Sequence, residues 1–364
     1  MQCKLTPKEA KMQRPEIGSV VVGVDTHKEI HVAAVVDHDG NLLDESTFPA
    51  TRQGYRMLER WASSYGKICR VGIECSGSYG SGLMRHLLKS GIEVLEVTYP
   101  DKSVRHKRGK DDFIDAEMAA EAAFTGNRTV TPKSRDGMVE ALRMLHKTRQ
   151  TAVKSRRVAL QMINDQIVSA PEELRDQLRG MTRMRLIRHL VATRPDKTDF
   201  RTPDGAARIS LKHLAMRYVE LDDEVSELDD AIAAILADLA PKLVALPCVG
   251  PQTASQLMIT VGDNPERIKS EASFAMLCGV APIPVSTGMK TRHRLNRGGD
   301  RAANSAIHII AVGRLRTDER TRAFVDRKMS EGHTKTEAIR CLKRYISREV
   351  YYVIKGQNRL VNGA

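Results

Sequence analysis

At 364 residues, 41% of them apolar, the chain is long enough for two or three domains with ordinary buried cores. Aromatic residues are only 4% of it and Trp61 is the single tryptophan, a composition that favours helices and argues against a β-sandwich. Lys and Arg number 58 against 45 Asp and Glu, a net charge of +13; no apolar run reaches the ~20 residues of a membrane span, so the balance suits a polyanionic partner and excludes a bilayer.

Residues 1–18 are polar, lack the apolar centre of a signal peptide and read as a flexible N-terminus. VVVGVD (20–25) is a short apolar strand that ends in an acid. KEIHVAAVVD (28–37) and, beyond the Asp39-Gly40 turn signal, NLLDESTFP (41–49) complete a three-strand meander. A helix is predicted over 53–64, with Tyr55, Leu58 and Trp61 or Ala62 on one face. RVGIE (70–74) is a fourth strand, ended by the turn-forming SGSYGSG. Residues 83–88 are helical, IEVLEV (92–97) is a fifth strand, and a basic loop, DKSVRHKRGK (101–110), leads into a helix over 111–124. Three strands, helix, strand, helix, strand, helix is the order of a ribonuclease H-like domain, an α/β sheet that begins with a meander. We place it at 19–130.

Residues 131–240 carry almost no strand signal. A first helical arm, 136–168, is basic through Arg143, Lys147, Arg149, Lys154, Arg156 and Arg157. A second repeats Leu211, Leu214, Tyr218, Leu221, Val225, Leu228, Ile232, Ile235 and Leu239 at alternating steps of three and four, the seam of a coiled coil within or between chains. Between them 169–210, with Pro171, Pro195 and Pro203, reads as an ill-defined turn region. A third part, 241–364, is again mainly α: helix and turn over 246–262, helix then loop over 265–282, a basic Gly-containing loop over 284–301, and helices near 302–316 and 335–354. The six cysteines (Cys3, Cys69, Cys75, Cys248, Cys278, Cys341) are scattered without a CxxC pair, which argues against a zinc ribbon or a disulfide framework and suits reduced thiols in a cytoplasm.

Four acids stand where a ribonuclease H-like sheet holds metal ligands. Asp25 ends the first strand and Glu74 the fourth, which neighbours the first in this order. Asp112 and Asp115 are three apart, hence on one helix face. Converging carboxylates repel unless a cation neutralises them, and hard oxygen ligands select Mg²⁺ or Mn²⁺. The same acids also suit helix capping, since Asp111 and Asp112 open a helix. His27 reads as a surface or second-layer residue or as a further ligand, and Lys28 as a phosphate contact.

The segments GVDTHK (23–28), GIECSGSY (72–79) and KDDFIDA (110–116) resemble the three motifs of the DEDD transposases, the insertion-sequence recombinases guided by a structured bridge RNA. ALPCVGPQTA (245–254), CGVAPIPVSTG (278–288) and RHRLNRGGDRAAN (292–304) resemble that family's C-terminal transposase domain, so the likeness runs in order over nearly the whole chain. It implies a RuvC-like N-terminal domain whose Asp25, Glu74, Asp112 and Asp115 bind the metal. It also implies a C-terminal hydroxyl that attacks the DNA backbone from a small-residue turn ahead of a glycine, here Val285-Ser286-Thr287-Gly288. Alignment on the glycine gives Thr287, while the less hindered primary hydroxyl favours Ser286. DNA, a guide RNA and a dimer or tetramer are the implied partners, in a bacterial cytoplasm at the nucleoid.

Arg292, Arg294, Arg297 and Arg301 suit bidentate phosphate contacts. His293 suits proton transfer or a phosphate. Arg105, His106, Lys107, Arg108 and Lys110 suit a nucleic-acid backbone beside the acids. PCVGP (247–251) resembles the hairpin of a helix-hairpin-helix, with Cys248 in place of its first glycine. Three other readings remain: a Holliday-resolvase-type nuclease that uses the acids alone, a sugar-kinase or actin-like ATPase suggested by VVVGVDTHK but without a second phosphate loop, and a non-catalytic scaffold built on the coiled coil.

Overall fold

A computed structural model describes residues 14–98, 111–287 and 290–361. They fall into two compact units that divide between Asp136 and Gly137. The basic loop with Arg105, His106, Lys107, Arg108 and Lys110 lies outside the described residues, as does most of 1–18.

The N-terminal unit is a mixed sheet in the order β3-β2-β1-β4-β5-β6. Its strands are β1 (Ser19–Thr26), β2 (Ile30–Val36), β3 (Leu42–Pro49), β4 (Lys67–Glu74), β5 (Glu93–Val97) and β6 (Thr129–Val130). β1 runs antiparallel to β2 and parallel to β4, while β4 and β5 are parallel. This arrangement is consistent with the ribonuclease H-like order expected from the sequence. β1 is buried along its whole length, as a central strand with both faces covered should be, and β3 is the polar edge. The Asp37 carboxylate accepts the amides of Asp39 and Asn41 at 2.9 Å each and so closes the β2–β3 turn. β6, only two residues long, is too short to show a period in sequence.

Helices α1 (Arg52–Ser63) and α2 (Ser81–Lys89) cover one face, where Leu58, Leu83 and Leu87 pack on Val20, Val22, Val24, Val71 and Ile73. Helix α3 (Asp112–Thr125) covers the other and packs on Val21 and Leu95 through Ala120 and Ala123. The closeness of α3 has a specific cause. A Cβ added at Gly23 would lie 2.0 Å from the Ala120 nitrogen and 2.1 Å from the Ala116 oxygen; one at Gly72 would lie 2.5 Å from the Ala119 oxygen. The helix answers with an alanine face, Ala116, Ala119, Ala120 and Ala123, all fully buried. Asp111 caps the helix by accepting the Phe113 amide at 2.9 Å, and Gly126 ends it in a left-handed turn at φ 72°.

In the C-terminal unit, helices α4 (Met138–Ser169) and α7 (Pro203–Leu239) lie side by side. Arg149 pairs with Asp229 and Arg156 with Asp222, so moving up one helix moves down the other and the pair is antiparallel. The predicted seam is filled from within the chain. Leu211, Leu214, Tyr218, Val225 and Ile232 are buried; Leu236 replaces Ile235 and Leu239 as the most buried position near the C-terminal end. An ordinary helix drifts against a strict seven-residue repeat, and this end of α7 joins a different core. Residues 169–210 depart from the turn region read in sequence, for they hold α5 (Glu172–Leu178) and α6 (Arg183–Ala192). Leu174, Leu178, Leu186, Ile187 and Leu190 cap one end of the helix pair around Ile163 and Leu211. Both helices are too short for a convincing period, and Pro171 and Pro195 lie outside them.

The remaining helices are α8 (Pro241–Val244), α9 (Pro251–Val261), α10 (Glu271–Leu277), α11 (Arg301–Thr317), α12 (Glu319–Ser330) and α13 (Lys335–Val361). They share one core with the ends of α4 and α7, centred on Leu142, Ile232, Leu257, Phe274, Ile307, Ile310 and Ile346. The basic loop read at 284–301 is in part a hairpin, β7 (Ile283–Thr287) with β8 (Lys290–Arg294). The two strands are paired antiparallel through their backbones, and no apolar alternation marks them in sequence. Helix α12 likewise has no apolar period in sequence, since only Thr321 and Val325 of it are buried.

Gly23→Ala is expected to lower the unfolding free energy of the N-terminal unit by about 3 kcal/mol or more, since backbone, not a yielding side chain, meets the new methyl. Gly356→Ala, within α13 and in open space, is expected to raise that of the C-terminal unit by up to about 1 kcal/mol. Urea denaturation followed by circular dichroism measures both.

Candidate metal centre and hydroxyl hairpin

Two residues beyond each glycine of the α3 seat stands an acid. Val24 and Ile73 are paired in register and both enter the core under α1 and α2. Side chains alternate along a strand, so Asp25 and Glu74, one position on, belong to the α3 face. The Thr26 hydroxyl donates to the Glu74 carbonyl at 2.9 Å and ties the two strand ends together. After Glu74 the chain turns at once: Cys75 has φ 52°, and the Ser78 amide returns to its carbonyl at 2.9 Å.

From the helix side, Asp112 and Asp115 occupy the first turn of α3, whose dipole favours negative charge. Asp25 and Asp115 are almost fully buried, at 8% and 3% exposure, while Asp112 is half-buried. His27 Nε2 stands 3.2 Å from an oxygen of Asp25 and 3.2 Å from an oxygen of Asp112. Asp25, His27 and Asp112 each offer a ligand atom within 4.8 Å of the others. Sequence reasoning set His27 at the margin of the site; the fold puts it between two of the acids. The signal available beforehand was its position two after Asp25, just where β1 ends.

Burial pushes the Asp25 carboxyl above the ordinary carboxylate range. His27 opposes that shift, and the charges of Asp115 and Asp112 add to it. The Cys75 thiol is likewise pushed up, first by burial and then by Glu74 and Asp25. A buried carboxylate whose charged form is disfavoured by its acidic neighbours is relieved by a cation. The donor set of carboxylate oxygens with one imidazole fits Mg²⁺ or Mn²⁺.

The second group of candidates lies in the C-terminal unit. Ser286 and Thr287 are consecutive residues of β7, paired by their backbones with Thr291 and Lys290 of β8. Arg292 stands opposite Val285, His293 opposite Pro284 and Arg294 opposite Ile283. His293, Arg294 and Arg297 are exposed, as is Arg301 at the start of α11. Lys28, in the other unit, is exposed and 3.5 Å from Glu29. Between α8 and α9, Cys248 has φ 60°, the left-handed region where glycine fits without strain. The hairpin of a helix-hairpin-helix would have glycine at that point.

Comparison with known proteins matches two stretches of the chain. A family model described as a transposase of the DEDD, IS110 type matches residues 22–169, a span that holds Asp25, Glu74, Asp112 and Asp115. A second, described as the transposase IS116/IS110/IS902 family, matches residues 240–326, which hold Ser286, Thr287 and the hairpin arginines. The chain is 31% identical over 143 residues to the insertion element IS110 uncharacterized 43.6 kDa protein of Streptomyces coelicolor, 38% of this chain and 35% of that one. It is 29% identical over 242 residues to the transposase for insertion sequence element IS1328 of Yersinia enterocolitica, 64% of this chain and 67% of that one. It is 22% identical to the insertion element IS900 uncharacterized 42 kDa protein of Mycobacterium paratuberculosis, over 89% of this chain and 93% of that one. The match thus spans about a third of the Streptomyces relative's length.

A carboxyl raised by burial binds its proton more readily in the folded state. The metal-free N-terminal unit should therefore lose stability as pH rises through the range above the ordinary value of 3.8. Asp25→Asn removes that loss. Its metal-free thermal midpoint is expected to exceed the wild type's at pH 7, with the gap closing as pH falls. Mn²⁺ at about 100 times its dissociation constant should reverse the order, stabilising the wild type by about 2.7 kcal/mol and the variant far less. Differential scanning fluorimetry with and without Mn²⁺ reads both effects.

Proposed function

The chain belongs to the IS110 family of DEDD transposases, and from that premise we propose that it is an RNA-guided recombinase that cuts and rejoins DNA strands at the ends of an insertion sequence and at its target. The observation that carries the reading is the gathering of Asp25, Asp112 and His27 around one point, with Asp115 buried in the same helix turn. Asp25, Glu74, Asp112 and Asp115 hold a divalent metal, Mg²⁺ or Mn²⁺. When bound, the ion supplies charge stabilisation to phosphate oxygens.

The nucleophile is a hydroxyl of β7, Ser286 or Thr287. Its oxygen forms a bond to phosphorus and its proton passes to a base, for which the exposed His293 is a candidate. The P–O bond to the leaving strand breaks, and that oxygen departs as an alcohol once protonated. A phosphodiester now joins protein to DNA. Attack by the hydroxyl of another strand end reverses the step and rejoins DNA without an outside energy source. Arg292, Arg294, Arg297 and Arg301 would hold the phosphates through paired N–H donors, and Lys28, Arg105, Lys107, Arg108 and Lys110 would contact backbone near the acids.

The net charge of +13 supports a nucleic-acid partner and suits DNA and RNA alike. The guide RNA, the dimer or tetramer and the bacterial, nucleoid-associated setting come with the family reading. No helix among the described residues is long and apolar enough to cross a membrane. A second reading has one observation in its favour. All four acids lie in a unit with its own core, so that unit could hydrolyse DNA as a metal-dependent nuclease without the hairpin.

A denaturing gel decides between them. Protein, Mg²⁺, the RNA encoded beside its gene and matching labelled DNA are expected to give a protein–DNA adduct. Asp25→Ala and one of Ser286→Ala and Thr287→Ala should each reduce it at least ~100-fold, as removal of a reacting group does. Cleavage with no adduct from the wild type would replace this reading with the hydrolytic nuclease.

A further inference from the structure

The C-terminal unit contains a cavity of about 440 Å³ between the base of the β7–β8 hairpin and the start of α13. That volume lies in the range of small-molecule sites. One part of its wall is apolar, formed by Val280, Pro282 and Leu295; another is basic, with Arg340 and Lys343. Among the described residues neither Arg340 nor Arg294, also on the wall, has a carboxylate partner. Glu337, the acid on this wall, is engaged by the Thr334 amide and hydroxyl at 2.9 Å each.

Lys343 is the decisive residue. The residue is buried, at 7% exposure, yet among the described residues its ammonium reaches only a neutral acceptor, the Asn304 carboxamide oxygen. Asn304 is itself fixed by its N–H bond to the Gly279 carbonyl at 2.7 Å. An ammonium has three donors, and holding one out of water without a counter-charge is costly. Burial, with the charge of Arg340, pushes its pKa down. An anion in the cavity would relieve that cost, and the apolar wall beside it suits a flat ring.

We propose that this cavity is a nucleotide pocket that takes one unstacked nucleotide of the DNA strand under attack, its phosphate on Lys343 and Arg340 and its base against Val280, Pro282 and Leu295. The proposal rests on the recombinase reading. From Pro282 on the cavity wall to Ser286 is four residues of extended chain, about 13 Å, or roughly four nucleotide rises of a duplex strand. The pocketed nucleotide would hold the strand in register a few positions from the scissile phosphate. Unstacking costs energy, which a shaped pocket with charge-assisted contacts offsets.

Cys341 lies on the cavity wall and reports occupancy directly. Full-length protein is alkylated with iodoacetamide, and modification of the Cys341 peptide is followed by mass spectrometry. The additions are a short single-stranded DNA, an RNA of the same sequence, or inorganic phosphate. DNA is expected to slow alkylation of Cys341 several-fold. Lys343→Met and the exposed-site variant Arg340→Ala are each expected to raise the DNA concentration for half-protection about tenfold. Protection by RNA alone, or equal protection by phosphate, would overturn the proposal, as would DNA binding that leaves Cys341 unprotected. If Lys343→Met fails to fold, Arg340→Ala decides. Protection that persists where no protein–DNA adduct forms would uphold the pocket and remove the recombinase reading beneath it.

Discussion

The N-terminal unit depends on the seating of one helix against two strands that lack side chains at the point of contact. At Gly23 and Gly72 no Cβ can be accommodated, because the backbone of α3 occupies its place. Each glycine stands two residues before an acid on its own strand, and the period of two puts glycine and acid on the same face. One geometric fact therefore brings the helix close and aims its first turn at the strand ends. The alanines of α3 complete the fit, since larger residues at 116, 119, 120 or 123 would lift Asp112 and Asp115 away from Asp25.

That closeness works against electrostatics. Burial and the charges of Asp115 and Asp112 all disfavour ionised Asp25, while His27 and, to a smaller extent, the Thr26 backbone amide moderate the effect. A fold that set out only to be stable would not assemble these acids here. Packing energy from the sheet and its helices holds them together against repulsion, and a cation of the kind such oxygens select would relieve it. The buried Lys343 of the other unit is a similar case with the opposite sign: an ammonium taken out of water near the like charge of Arg340, with the neutral Asn304 as its hydrogen-bond acceptor, on the wall of a cavity.

The C-terminal unit draws on different forces. Its two long helices are aligned by apolar seam residues and by Arg149–Asp229 and Arg156–Asp222, which permit only the antiparallel sense. Their far end is closed by α5 and α6, and their near end merges into the core that supports the β7–β8 hairpin. None of the hairpin's described side chains, from Ile283 to Val285 and from His293 to Arg294, is buried. Its strands are held by backbone pairing, and His293 and Arg294 on β8 are exposed to solvent.

Much of this was written locally in the chain. The β-strands through β5 were legible because apolar residues fill or alternate along them, and α3, α4 and α7 because their apolar or alanine faces recur over many turns. The positions of the four acids followed from strand ends and from helix spacing. Helices α5, α6 and α12 and the strands β6, β7 and β8 were not legible, since each is too short or too polar for a period to emerge. Nor was the bridging place of His27, the antiparallel partner of the heptad seam or the buried ammonium of Lys343. These arise where segments far apart in sequence come within a few ångströms of one another. A residue's period says which face it lies on; what stands opposite that face is decided only when the chain has folded.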